Sequence, residues 1–108
     1  MKIYKVILVI LSDLAKIDLQ NIVSYINAVD SFTRAKHVER SILSEMKRLK
    51  RFSTAYPKDE YASTNETLIR FLVKWNYKIL FSINVDTVLI AGIFHTAQNP
   101  DKLTYTAF

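Results

Sequence analysis

The sequence predicts an α+β domain in which an N-terminal strand and a two-helix antiparallel hairpin pack on a small antiparallel sheet, in the order β-α-α-β-β-β. Three observations carry this expectation. Thr67 to Lys74, Tyr77 to Asn84 and Thr87 to His95 are apolar, β-branched and aromatic runs with brief breaks, the mark of a three-stranded meander. Ser12 to Phe52 keeps a helical period and supplies a hairpin to cover that sheet. Ile3 to Leu11 is an apolar run that passes straight into Ser12 and Asp13, both good helix caps, and so reads as a buried first strand.

Composition bounds what such a domain can be. At 108 residues the chain suits one compact domain, 1–108, so any active surface shares the single core. Half the residues are hydrophobic and the only glycine is Gly92, which excludes a low-complexity linker and a glycine-rich phosphate loop. Without cysteine there is no disulfide framework, thiolate metal site or cysteine nucleophile, which is compatible with a reducing cytoplasm. His37 and His95 lack the close ligand pairs of a zinc site, so neither a metal nor another cofactor is expected. A net charge of +5 favours a polyanionic or acidic partner and also serves simply to keep a small domain soluble.

The elements follow in order. Lys2 and Lys5, standing for a basic leading region, make the run Ile3 to Leu11 imitate a leader peptide, but no small-residue cleavage pattern follows and the run is too short to cross a bilayer as a helix. The expectation is therefore no membrane insertion and a cytoplasmic protein. In the first helix Ala15, Leu19, Ile22, Ile26 and Val29 fall within a sector of roughly 80° at about 100° per residue. A break at Asp30, Ser31 and Phe32 offers Ser31 as the cap of a second helix, with the apolar stripe Ala35, Val38, Ile42, Met46 and Leu49. The short connection makes the two antiparallel.

Beside that stripe Lys36, Arg40, Lys47 and Arg51 share a sector of roughly 60°. This basic ridge is either a solvated face partly neutralised by Glu39 and Glu45 or a contact for nucleic acid or an acidic partner. Pro57 ends helical structure near Phe52, and the polar stretch before Thr67 is a long loop in which Tyr56, Lys58, Glu60 and Tyr61 merit testing.

In the meander, alternation puts Leu68, Arg70, Leu72 and Lys74 on one face of the first strand and Ile69, Phe71 and Val73 on the other. Tyr77, Ile79, Phe81 and Ile83 share a face of the next. In the last strand Val88, Ile90, Gly92 and Phe94 alternate with Leu89, Ala91, Ile93 and His95. Both faces of these last two strands are apolar, so they should be central and covered. Trp75, beside Asn76 at a strand end, is either partly buried under the hairpin or exposed to stack on a base. Leu103, Tyr105 and Phe108 make Asp101 to Phe108 too apolar for a solvated tail. That segment should pack on the sheet or await a partner, and its apolar surface would favour a homodimer in isolation.

Taken together, helical hairpin, long loop, meander and the closing stretch Ile93 to Pro100 resemble the RelE/ParE superfamily of bacterial type II toxins, the plasmid stabilisation proteins. The carriers are Tyr4-Lys5-Val6, Asp18-Leu19 with Ile22 to Ile26, Arg70, Tyr77-Lys78-Ile79-Leu80-Phe81, and Ile93 with His95. The resemblance implies a toxin held inactive by a cognate antitoxin whose extended and helical segment wraps it. ParE-like members poison DNA gyrase, whereas RelE-like members enter the ribosome and cut the mRNA being translated.

The long hairpin and single strand arginine look closer to the ParE-like members, whose site is a protein-binding surface needing no catalytic set. Under the RelE-like alternative a metal-independent endoribonuclease would use His95 for acid or base work, with Arg70 and Lys74 facing the developing phosphorane charge. The basic cleft of such nucleases is thin here, comprising Lys58, Arg70, Lys74 and Lys102. Arg70 reads equally well as a structural arginine paired with Asp59 or Glu60. A further alternative is an inactive interaction module. Candidate contacts for a partner or nucleic acid are Lys36, Arg40, Lys47, Arg51 and Lys58.

Overall fold

A computed structural model describes residues 8–96. Strand β1 (Leu8–Leu11) leads into helices α1 (Asp13–Val29) and α2 (Phe32–Phe52), then a 3₁₀ turn (Ser53–Ala55) and strands β2 (Arg70–Lys74), β3 (Tyr77–Asn84) and β4 (Thr87–His95). The four strands form one sheet in the order β1-β4-β3-β2. β2, β3 and β4 pair antiparallel, while β1 joins β4 in parallel. The predicted α+β order therefore holds, with one parallel pairing added at the edge.

Both helices start where their serines can cap them. Ser12 Oγ accepts the Ala15 N–H at 3.1 Å, and Ser31 Oγ accepts the Arg34 N–H at 3.0 Å. All five stripe residues of α2 are buried: Ala35, Val38, Ile42, Met46 and Leu49. On α1 the stripe is shorter than expected, with Ala15, Leu19 and Ile26 buried but Val29 63% exposed, because its last turn borders an opening beside Trp75 and Asn76. β1 also departs from the expected buried strand. Being an edge strand, it packs Val9 and Leu11 inward and leaves Leu8 and Ile10 exposed. The part of the predicted strand before Leu8 lies outside the described residues, as do Lys102 and the segment 101–108.

Both faces of the sheet are covered, as the two-sided apolar pattern requires. The helices cover one face, where Leu72, Ile79, Phe81, Val88, Ile90 and Ile93 join their buried stripes. On the other, Ile69, Leu80, Ala91 and Phe94 pack with Phe71 and with Ala62 of the long loop. The loop is tied down by Asp59, which is buried and ion-paired to Lys78, while its Oδ1 accepts the Ala62 N–H at 2.9 Å.

β2 begins at Arg70 rather than Thr67, because the preceding backbone is already engaged with the loop. The Ile69 carbonyl accepts the Asp59 N–H at 2.7 Å, and Ser63 Oγ accepts the Ile69 N–H at 2.9 Å. Phe71 N–H then donates to the Pro57 carbonyl at 3.0 Å, so the loop also covers the start of the β2 edge.

A register shift between Leu80 and Phe81 breaks the simple alternation of β4. Leu80 opposes Gly92 and Phe81 opposes Ile90, leaving Ala91 as the extra residue of a β-bulge. Val88, Ile90 and Ile93 therefore face the helices, while Ala91 and Phe94 face the loop. The expected grouping of Phe94 with Val88 and Ile90 is corrected accordingly.

Candidate functional site

The bulge determines what the far half of β4 offers. Among the described residues β1 stops at Leu11 opposite Ile90, and the next backbone groups of β4, at Ala91 and Ile93, take side-chain partners instead. α1 supplies two. Ser12 Oγ–H donates to the Ala91 carbonyl at 3.0 Å, and Asp18 Oδ2 accepts the Ile93 N–H at 2.9 Å. The Asp18 carboxyl is pushed above its ordinary 3.8 by burial, an effect that the Ile93 hydrogen bond partly offsets.

Beside Asp18 lies a groove of about 510 Å³ lined by Asn21, Ile22, Tyr25, Tyr77, Phe94 and His95 among others. A second cavity of about 260 Å³ reaches from Tyr77 and His95 to Arg34, Trp75 and the end of α1. His95 stands edge-on to the Tyr77 ring at 5.6 Å between centroids. Burial, and secondarily the neighbouring Tyr25, push the Tyr77 phenol above 10.0, so at neutral pH it acts as an uncharged hydrogen-bonding group. Tyr25, Val29 and Phe32 are each more than 60% exposed, which makes this end of the hairpin unusually apolar.

The three residues considered for nuclease chemistry are distributed unevenly. Lys74 pairs with Tyr77 and Tyr77 with His95, placing Lys74 and His95 on one rung, two strands or roughly 10 Å apart. Lys74 is drawn to Glu45 of α2 at 3.7 Å and lies 4.8 Å over the Trp75 ring. Arg70 is four residues away along β2, roughly 13 Å. Its guanidinium donates to the Tyr56 carbonyl at 2.6 Å and the Thr54 carbonyl at 3.5 Å, fastening the 3₁₀ turn to the sheet. The acids suggested for Arg70 have other partners: Asp59 binds Lys78, and Glu60 lies 3.7 Å from Lys58.

The ridge of α2 is placed as its spacing predicts. Arg40, Lys47 and Arg51 are exposed, and Lys36 is half-exposed with its ammonium 3.2 Å from Glu39. Glu45, expected to neutralise the ridge, instead serves Arg48 and Lys74. Lys58 lies off this helix, bridged to Arg70 at the β2 edge. Trp75 is 49% exposed, its ring 5.7 Å from that of His37, and its backbone at φ 53° is in the left-handed region. Sequence reasoning missed Asp18, Tyr25 and Tyr77 as lining residues, since their grouping depends on where β1 ends relative to β4.

Comparison with known proteins agrees with this architecture. No curated protein matches the chain. A solved chain from the "Chromosomal ParDE TA system from P. aeruginosa" is similar in fold, with a TM-score of 0.68 at 16% identity, over 84% of this chain and 96% of that chain. The family model described as "ParE toxin of type II toxin-antitoxin system, parDE" matches residues 9–100, which takes in the helical hairpin, the long loop and the whole meander. On that match the chain belongs to the ParE family of type II toxins.

Proposed function

We propose that the protein arrests bacterial growth by inhibiting DNA gyrase and is neutralised by a cognate antitoxin. The family match carries this reading, because it selects the ParE branch of the superfamily. The disposition of the basic residues supports it. An arginine held by two backbone carbonyls and a lysine paired with Glu45 have charges already committed to the fold, whereas phosphorane stabilisation needs cations aimed at the reacting phosphate. The antitoxin segment would occupy the groove between α1 and the far end of β4, where it would meet Tyr25 and Tyr77.

The experiment is purified protein tested side by side on gyrase and on translating ribosomes. Loss of supercoiling with gyrase-linked DNA breaks and intact mRNA is the expected outcome. Cleaved mRNA with unaffected gyrase would return the assignment to a nuclease using His95, Arg70 and Lys74, and no effect on either would leave an interaction module.

A further inference from the structure

The charge of this protein is concentrated on one helix. α2 contains seven Lys and Arg residues and two Glu, a net charge of +5 that equals the formal charge of the whole chain. Its distribution around the helix is also segregated. At about 100° per residue, Thr33, Lys36, Arg40, Ser44, Lys47 and Arg51 are the only α2 residues in an outward sector of roughly 80°. The five buried residues of α2 fill a similar sector on the opposite side. Glu39 and Glu45 flank that buried stripe and are engaged with Lys36, Arg48 and Lys74. A face that merely keeps a helix in solution usually mixes signs, because oppositely charged pairs three or four residues apart stabilise it. This face contains four cations, two hydroxyls, no carboxylate and no apolar side chain.

We infer that the outward face of α2 is a docking surface for the phosphate backbone of duplex DNA. Its chemistry selects that occupant. Arg, Lys, Ser and Thr are the side chains that bind phosphate oxygens, and from Lys36 to Arg51 they follow a straight rod for roughly 22 Å. An acidic protein partner needs a buried apolar or aromatic centre to anchor it, and this sector has none. A single strand needs aromatic rings on which bases stack, and those are also missing from the sector. The inference extends the gyrase reading, since gyrase works on duplex DNA, but its test requires no gyrase and so fails or succeeds independently.

The test measures binding of the full chain to a short fluorescent duplex as a function of salt. Four phosphates neutralised by Lys36, Arg40, Lys47 and Arg51 give a log–log salt slope of about −3.6, or roughly 150-fold weaker binding at about 200 mM than at about 50 mM. The double variant Arg40→Gln/Lys47→Gln removes two exposed cations that make no ion pair among the described residues. It should halve the slope, to roughly 12-fold over the same range, with an unchanged far-UV spectrum and melting curve. Lys16→Gln, which removes an exposed cation from α1, should leave the slope as it is. A wild-type slope near zero, an unchanged slope in the double variant, or poly-glutamate binding as tightly as the duplex would overturn the proposal, the last in favour of an acidic protein.

Discussion

At the scale of single residues, Asp18 shows how one side chain joins fold and site. Its carboxylate closes the Ile93 N–H that the end of β1 leaves open, yet burial makes its ionised form unfavourable. A carboxyl whose folded pKa is raised contributes stability that is complete below its unfolded value and is lost as pH rises through the folded value. The window therefore lies just above 3.8, and at neutral pH the charge is carried at a cost. Asp18→Asn keeps an oxygen to accept the Ile93 N–H and removes that charge. It should be at least as stable as wild type at pH 7, and the difference should shrink as melting is repeated toward pH 4. A gap that stays constant, or a variant less stable at pH 7, would contradict this role. In the sequence Asp18 is a polar residue of α1 and, with Leu19, one carrier of the family resemblance. Nothing in it marks Ile93 as the partner, because that pairing depends on a strand ending seven residues earlier in α1's own approach to the sheet.

Among the elements, the long loop is a structural layer rather than a free connection. Asp59 and Lys78 join it to β3, and the Lys78 ammonium lies 4.3 Å over the Phe71 ring and 5.9 Å over that of Phe94. Asp59 is buried and Lys78 partly so, and Asp59→Ala removes both the ion pair and the Ala62 cap, so it should cost about 2 kcal/mol. In a double-mutant cycle with Lys78→Met the coupling should be at least about 1 kcal/mol, read by denaturant unfolding. Additive effects would show that the two residues act separately. The hairpin was legible because helical periodicity and the Ser12 and Ser31 caps are local signals. The bulge at Ala91 and the true start of β2 were not. A bulge is defined by the opposing strand, and Ile69 resembles a strand residue in composition while its backbone belongs to the loop.

For the molecule as a whole, order of elements carried more information than any motif. Strand, hairpin, loop and meander were readable in sequence, and the family match spans that same order. The candidate site was less readable. The α2 ridge follows from helical spacing alone, whereas the groove at Tyr25, Tyr77 and His95 depends on how α1 packs beside the far end of β4. Two cations of the proposed catalytic trio are committed to Glu45 and to backbone carbonyls, which turns attention from bond cleavage to macromolecular capture. Induced expression of the full chain in a bacterial host, with colony counts and plasmid topology followed together, tests that account most directly. Loss of colony formation with relaxed plasmid and broken chromosomal DNA, while transcripts persist, is the predicted result. Normal growth, or rapid transcript loss with supercoiling unchanged, would contradict it.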